Sequence, residues 1–383
     1  MWQSLISIKK KLGRRKRAFY AFLDRANHEI RIHANRRSQP NRAPRIVILP
    51  SHGRNVGSSN LRAIEMGKAL QPLGWRVTTI PHELTLSQRR RIIKFEKPDI
   101  LLIQKQRHPD NRPSFYPGTR TVFDLDDAEY VHQDKADDAI VCCRDSHAVI
   151  AGSRNVAEWC RQYNPNTFVV WTGTPNSLST SKPTPPSQRR PIVTWATSSA
   201  REFVGEAELV REIILRVAER TPLEFWLYGV QDDSPGSPIH TYLEPIRQAK
   251  IPHRTFRYMN YGDFVTSLSE VAVGLQPIDA SSKLSLGKSF GKVLAYLVAD
   301  VAVVASDNVD HSEFFRDGEN GFLVRDLDGW INAVEILLKN PSKREQIARA
   351  AHSDYEQTLS IEAAARKVDT ILRGLLKTHE NLH

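Results

Sequence analysis

The sequence predicts an α/β protein with two parallel-sheet domains. Short apolar runs typical of buried strands, such as RIVILP at residues 45–50, alternate with stretches of helical periodicity. The alternation starts again after the Ser-, Thr- and Pro-rich segment 177–190, which is typical of an interdomain linker. Such βαβ units form parallel sheets. Two parallel-sheet domains place a ligand cleft between them, at the carboxyl ends of their strands.

The first domain is predicted to cover residues 45–176. After the strand RIVILP comes the loop SHGRNVGSSN, then an amphipathic helix that ends near Gly74. In this loop Ser58, Ser59 and Asn60 are candidate helix caps. Five further strands are predicted, in the order WRVTTIP, DILLIQ, RTVFDLDD, HAVIAGS and TFVVWTG.

The second domain is predicted to cover residues 191–345. Its elements are the strand PIVTWAT, a helix over about 206–219, the strands LEFWLYG and VAVGLQPI, the apolar run 301–305 and the strand GFLV. After Asp326 the pattern is helical, with a break near Pro341. Residues 346–383 are expected to form a C-terminal helical segment.

Composition narrows the class of protein. A hydrophobic fraction of 40% over 383 residues is enough for well-packed cores. The three cysteines contain no CxxC pair, so neither a disulfide framework nor a zinc site is expected. This usage fits a reducing, cytoplasmic environment.

The positive charge is concentrated at the N-terminus. Residues 1–44 contain twelve Lys/Arg and two Asp/Glu, whereas the whole chain carries +11. The predicted domains are therefore nearly neutral, which argues against nucleic acid as a partner. Within this segment, helical spacing relates five apolar residues: Phe19, Phe22, Leu23, Ala26 and Ile30.

A basic amphipathic helix with aromatic side chains is typical of proteins that lie on anionic membranes. Residues 1–37 therefore predict a peripheral location on the inner membrane face. The alternatives are a helix packed against the body and a flexible tail. No apolar run reaches the length of a transmembrane span, and no secretory signal is recognisable.

Several motifs occur in a fixed order along the chain. They are GWRVTTIP, FDLDDAEY, VIAGSRNVAEW, KSFGKVLAY and VAVVASDNVDHSEFFRDGENGFLV. In this order they resemble landmarks of the GT-B glycosyltransferases, in particular family 4 and the group 1 transferases. The resemblance implies two Rossmann-like domains facing a central cleft, with the donor on the C-terminal domain and the acceptor on the N-terminal domain. It further implies retaining transfer of a hexosyl group from a UDP- or GDP-linked sugar, with neither a metal nor a cofactor.

Lys288 and Lys292 are the candidate diphosphate ligands. A leaving diphosphate gains negative charge, which cations and backbone N–H groups must meet in a metal-free site. If the helix begins at these residues, the two lysines share one face. Ser289 adds a donor, and Arg201 follows the first strand of the second domain, where relatives carry a cation. Ordinary exposed basic residues are the alternative.

Two glutamates that family 4 members usually carry are absent. The resemblance places them at Gly287 and Ala295, and neither is acidic. This departure favours a second hypothesis, a non-catalytic GT-B module that binds a nucleotide or glycan, or that partners an active glycosyltransferase.

On the acceptor side, Asp126 and Asp127 are the candidate catalytic residues. They close the predicted strand FDLDD, and a carboxylate there can orient or deprotonate an acceptor hydroxyl. Asp124 and His132 are weaker candidates. Gly57 and Ser58 could contact phosphate or acceptor at a helix start. Helix capping and loop hydrogen bonds are the alternatives for all of these residues.

The combined hypothesis is a glycosyltransferase at the cytoplasmic membrane face that acts on a lipid-linked, polysaccharide or other glycan acceptor. A sugar-nucleotide epimerase of the same fold is a third possibility, and no motif supports it.

Overall fold

The structure is a computed structural model of the 383-residue chain. It describes residues 22–34, 43–176, 184–197, 200 and 202–380. Arg201, most of the basic N-terminal segment and the first half of the predicted linker lie outside the described residues.

The N-terminal domain contains a six-stranded parallel sheet. Its strands are buried on both faces by helices, which explains why they read as continuous apolar runs. The spatial order is β2-β1-β3-β4-β5-β6. The strands are β1 (Arg45–Leu49), β2 (Arg76–Thr79), β3 (Ile100–Gln104), β4 (Thr121–Leu125), β5 (Ala148–Ala151) and β6 (Thr167–Val169).

The C-terminal domain contains a second six-stranded sheet whose strand pairs are also all parallel. The order is β12-β11-β10-β7-β8-β9. The strands are β7 (Ile192–Ala196), β8 (Glu224–Tyr228), β9 (His253–Phe256), β10 (Val273–Gln276), β11 (Ala302–Ser306) and β12 (Phe322–Val324). The direction of winding reverses between β1 and β3 in one sheet and between β7 and β10 in the other. Ligands bind parallel sheets at such points.

Helices cover both faces of each sheet. In the N-terminal domain they are 22–34, Gly57–Ser59 continued by a π-helical turn Asn60–Glu65 and by Met66–Leu70, then Leu86–Glu96, Gln133–Arg144 and Arg154–Arg161. In the C-terminal domain they are Val204–Ala218, Pro238–Gln248, Tyr261–Ser267, Lys283–Leu286, Val293–Val298, Leu327–Lys339 and Pro341–Thr358, followed by Ile361–Glu380. Short 3₁₀ turns occupy Pro113–Phe115, Glu129–Val131, Pro186–Gln188, Leu268–Glu270 and His311–Glu313.

The last helix returns to the N-terminal domain. The apolar face of Ile361–Glu380, including Ala365 and Leu372, packs against Ile46 of β1 and the apolar side chains around it. The indole Nε1 of Trp75 donates to Asp369 Oδ1 at 2.6 Å. The end of the chain therefore completes one face of the first sheet.

The helix 22–34 lies on the N-terminal domain by one face only. Glu29 pairs with Arg91, and the ring of His33 meets that of Phe95 edge-on at 4.2 Å. The helix leaves Phe22, at its first described turn, and Ile30 exposed; they are 62% and 64% accessible. Among the described residues, no helix combines the length and apolar character that a bilayer span requires.

The expectation of a helix cap in the first loop was wrong. The helix after the first loop begins at Gly57, so Ser58, Ser59 and Asn60 lie inside it and none caps it with its side chain. Ser59 Oγ instead donates to Gln104 Oε1 at 3.0 Å, which ties the helix to β3. A long-range partner thus outcompetes the local cap.

The described end of the 177–190 segment is packed against the C-terminal domain. The guanidinium of Arg189, itself buried, donates to the carbonyls of Val271, Ala299 and Asp300 at 2.7–2.9 Å. Arg344 donates to the carbonyl of Pro186 at 2.8 Å. These bonds fix the approach of the chain to β7.

Candidate active site

A cleft of about 890 Å³ lies between the two domains. It opens at the carboxyl ends of the strands in both sheets, where the winding reverses. The N-terminal wall follows β1, β3 and β4 and includes Gly57, Ser58, Arg107, Asp126, Asp127, Glu129, His132 and Lys135. The C-terminal wall follows β7, β8, β9 and β10 and includes Trp195, Tyr228, Arg257, Tyr258, Met259, Phe264, Gln276, Lys288, Ser289 and Lys292.

A buried lysine organises the acid side of the cleft. Lys105 follows β3 directly and is fully buried. Its Nζ lies 2.8 Å from Asp126 Oδ1, 2.5 Å from Asp127 Oδ2 and 3.1 Å from Glu129 Oε1. Arg107 also pairs with Glu129 Oε1, at 2.5 Å. One ammonium group therefore holds three carboxylates in one place.

The surroundings push the pKa values of these groups apart. Burial disfavours the ammonium form of Lys105, but the three carboxylates outweigh burial and raise its pKa well above the ordinary value. Burial raises the pKa of Asp126 to about 6, against the opposing charge of Lys105. Burial acts in the same direction on Asp127, yet Lys105, Arg107 and Lys288 lower its pKa overall. Two adjacent carboxyls with separated pKa values are suited to different chemical tasks.

Asp124 forms a buried ion pair and so has a structural role. Arg62 donates to both of its carboxylate oxygens, at 2.8 and 2.7 Å, and both side chains are buried. Asp124 does not line the cleft, whereas Asp126 and Asp127, two and three residues later, do. Strand alternation followed by a turn out of β4 explains this division.

Lys288 and Lys292 line the opposite wall, but not as residues of one helix. The helix begins at Val293, so the expectation of a shared helical face was wrong. Both lysines lie in the non-helical stretch between the helix Lys283–Leu286 and Val293, with Gly291 between them at φ +31°. No carboxylate of a described residue lies within 4 Å of either lysine; Lys288 Nζ instead sits 3.2 Å from the centre of the Phe203 ring.

Burial lowers the pKa of Lys288 to about 8, although Glu206 and Asp127 act in the opposite direction. Burial also lowers the pKa of Lys292. Two half-buried ammonium groups without an ion-pair partner in the described structure are well suited to receive an anion.

The two positions where relatives carry glutamates differ in their surroundings. Ala295 is fully buried in the apolar core of the C-terminal domain. Gly287 is buried against the N-terminal domain, beside Ala128. Neither residue lines the cleft.

The remaining predicted residues have the following positions. Gly57, Ser58, Ser289 and the weaker candidate His132 line the cleft with the residues above. Arg201 lies outside the described residues, between Ala200 and Glu202.

Sequence reasoning missed Lys105, Arg107 and Glu129. The available signal was a pair of basic residues directly after the apolar run DILLIQ, because β3 and β4 are neighbours and their carboxyl ends meet. A second missed feature is the aromatic pair at the ends of β8 and β9, where Tyr228, which lines the cleft, stacks on Phe256 with ring centres 4.4 Å apart.

The domains touch at the cleft. Tyr258 Oη donates to the carbonyl of Asn55 at 2.6 Å, and Ser153 Oγ donates to that of Gly287 at 3.2 Å. In the loop that follows β11, Asp310 Oδ2 accepts a hydrogen bond from the indole of Trp171 of the N-terminal domain at 2.7 Å. The carboxylates of one domain and the lysines of the other therefore line one continuous cleft.

Comparison with known families agrees with this architecture. Residues 211–373, somewhat less than half of the chain, match the family described as glycosyl transferase-like. A comparison with curated proteins finds no significant match. The predicted resemblance to group 1 glycosyltransferases is thereby confirmed, while assignment to family 4 stays a prediction.

Solved structures establish the fold over most of the chain. Sucrose-phosphate synthase from Thermosynechococcus elongatus aligns with a TM-score of 0.63 at 13% identity, over 88% of this chain and 100% of that one. HepE from Anabaena, in complex with UDP and glucose, aligns with 0.63 at 15% identity, over 86% and 100%. A glycosyltransferase from Rickettsia africae aligns with 0.63 at 12% identity, over 88% and 99%. The chain thus has the predicted GT-B fold.

Proposed function

We propose that the protein is a glycosyltransferase that moves a sugar from a nucleoside-diphosphate donor to a glycan or lipid-linked acceptor. One observation carries the proposal. The cleft sets two half-buried lysines of one domain, Lys288 and Lys292, opposite the carboxylates Asp126 and Asp127 of the other.

The two walls match the two halves of the reaction. The acceptor oxygen forms a bond to the anomeric carbon, and the bond from that carbon to the diphosphate oxygen breaks. The acceptor proton passes to a carboxylate, with Asp126 or Asp127 as the candidate. The diphosphate leaves with the bonding electron pair, and the ammonium groups stabilise its charge.

Two further observations support a UDP-linked donor and a metal-independent site. HepE, which shares the fold, has been solved with UDP and glucose. In this chain Lys105 Nζ occupies the space between three carboxylates, where a divalent cation would otherwise be held. A GDP-linked donor is the alternative. Retention of configuration and hexosyl transfer are part of the proposal through family resemblance alone.

The protein is further proposed to act at the inner face of a membrane. The helix 22–34 leaves the apolar side chains of Phe22, Leu23 and Ile30 exposed. The chain before this helix is strongly basic. Apolar side chains beside basic ones fit the interface of an anionic bilayer.

A thermal-shift screen of nucleotides and nucleotide sugars tests the donor site. Stabilisation of about 2.7 kcal/mol is expected at a hundredfold excess over the dissociation constant. Lys288→Ala should weaken UDP or GDP binding at least tenfold, since a charged hydrogen bond contributes about 1.5–3 kcal/mol. Lys283→Ala is the matched control, because Lys283 is exposed, belongs to the preceding helix Lys283–Leu286 and does not line the cleft.

The second candidate function is a non-catalytic module that binds a nucleotide or glycan. The absence of acidic side chains at Gly287 and Ala295 favours it. Nucleotide binding without hydrolysis or transfer of any donor sugar would support this function. Failure of every nucleotide to stabilise the chain would remove the donor site altogether.

A further inference from the structure

The backbone of Gly287 lies directly against Ala128 of the opposite domain. A Cβ atom at position 287 would overlap the Cβ of Ala128 and lie 2.9 Å from its backbone nitrogen. Ser153 Oγ donates to the carbonyl of the same glycine at 3.2 Å. Only a residue without a side chain fits this contact, so glycine here serves the approach of the two domains.

The contact brings two charged residues together across the domain boundary. Asp127 precedes Ala128, and Lys288 follows Gly287. Both line the cleft, and the charge of Lys288 contributes to the lowered pKa of Asp127. Asp127 of the N-terminal domain therefore lies near Lys288, the proposed diphosphate ligand of the C-terminal domain. Gly287, between them, contributes no side chain.

The second oxygen of Asp127 is open to a ligand. Its side chain is 44% accessible, and Lys105 binds Oδ2 at 2.5 Å. No described residue donates a hydrogen bond to Oδ1. Lys105 thus fixes the orientation of the carboxylate, and Oδ1 is left without a donor among the described residues on a side chain that lines the cleft.

We infer that Asp127 binds the sugar of the nucleotide-sugar donor by accepting hydrogen bonds from its hydroxyl groups, as a carboxylate supplied by the opposite domain. This inference rests on the proposed function and deepens it. It divides the two neighbouring carboxyls between substrates: Asp127 recognises the donor sugar, and Asp126 receives the acceptor proton. Asp126 suits that task because it is more buried and burial raises its pKa to about 6.

Calorimetric titration of the full chain with UDP and UDP-glucose, and with GDP and GDP-mannose, tests the inference. For the pair that binds, Asp127→Asn should weaken binding of the nucleotide sugar about tenfold or more and leave binding of the free nucleotide unchanged. The reason is that only the nucleotide sugar carries the hydroxyl groups of the transferred sugar. Asp126→Asn should change neither affinity but should abolish transfer to an acceptor.

The domain contact gives a second test. Gly287→Ala should lower the affinity for the nucleotide sugar more than that for the nucleotide, because the added methyl group pushes Asp127 away from Lys288. Adding Ala128→Gly to this variant should restore part of the loss. Circular dichroism of each variant checks that a loss of affinity is not a loss of folding.

These outcomes distinguish a failure of the inference on Asp127 from a failure of the proposed glycosyltransferase function. If the wild-type protein binds nucleotide and nucleotide sugar and Asp127→Asn weakens both equally or neither, the inference is overturned and the proposed function stands. If no nucleotide and no nucleotide sugar binds the wild-type chain, both are overturned.

Discussion

At the scale of single residues, Lys105 has the most unusual environment. It is fully buried, and its backbone adopts a left-handed conformation with φ 56°. That conformation costs a non-glycine residue about 1 kcal/mol. The position after β3 brings Lys105 Nζ into contact with the carboxylates of Asp126, Asp127 and Glu129. Backbone strain at this site is offset by electrostatic pairing.

Removing this ammonium group should destabilise the fold. Lys105→Met leaves three carboxylates next to one another, two of them buried, and among the described residues only Arg107 still pairs directly with one of them, so the free energy of unfolding should fall by about 3–5 kcal/mol at neutral pH. The loss should shrink as the pH falls, because protonation relieves the repulsion between carboxylates.

Urea denaturation of both proteins measures this change. Lys339→Ala is the matched control, since it breaks an exposed pair with Glu335 that contributes about 0.3–0.5 kcal/mol. Equal stability of Lys105→Met and the wild type would contradict the role given to this lysine.

Lys288 predicts a pH dependence of nucleotide binding. Burial lowers its pKa to about 8, so the group is mostly charged below that pH and mostly neutral above it. Affinity for UDP or GDP should therefore fall about tenfold between pH 7 and pH 9 if the ammonium form alone binds the diphosphate. Lys288→Arg should remove this dependence because a guanidinium stays charged throughout. A fall of the same size in the arginine variant would exclude Lys288 as its source.

At the scale of secondary-structure elements, the helix 22–34 combines a contact with the domain and exposed apolar side chains. Glu29 and His33 hold it to the helix Leu86–Glu96, while Phe22 and Ile30 remain exposed. Exposed apolar side chains next to a basic segment are unfavourable in water, and contact with a membrane would bury them.

Sedimentation of the full chain with vesicles tests this face. The protein should bind vesicles that contain phosphatidylglycerol better than vesicles of phosphatidylcholine alone, and added salt should weaken the binding. Replacing Phe22 and Ile30 by Ser should weaken partitioning about tenfold or more, since each buried apolar side chain contributes about 1.5–3 kcal/mol. Ile336→Ser, which alters an exposed apolar residue of the C-terminal domain, should have no effect. Unchanged partitioning of the double variant would contradict membrane contact through this helix.

At the same scale, the stretch 287–292 shows where periodicity misleads. Two lysines four residues apart before an apolar run predict one helix, yet the helix begins at Val293. Both lysines nevertheless reach the cleft, because a turn rather than a helix carries them. The contact between Gly287 and Ala128 decides this conformation, and no local pattern records a contact across 159 residues of sequence.

At the scale of the whole molecule, the sequence predicts the architecture better than the site. Alternating apolar runs and a second series after residue 190 are enough to predict two parallel sheets, because buried parallel strands have a strong local signature. The order of motifs adds the GT-B resemblance. The grouping of Lys105 with Asp126 depends instead on which strands are neighbours, and the place of Ile361–Glu380 depends on which domain still lacks a covered face.

That last helix has a consequence for how the protein is made. The N-terminal domain leaves the ribosome before the helix Ile361–Glu380 that packs on Ile46, Leu70 and Trp75. The first domain can therefore form its sheet early but gains its full core only after this helix, which follows the whole second sheet, has been synthesised. During that interval its apolar surface is open to chaperones, and a ribosome that stops after the second sheet would release a chain with the cleft residues present and the first domain unfinished.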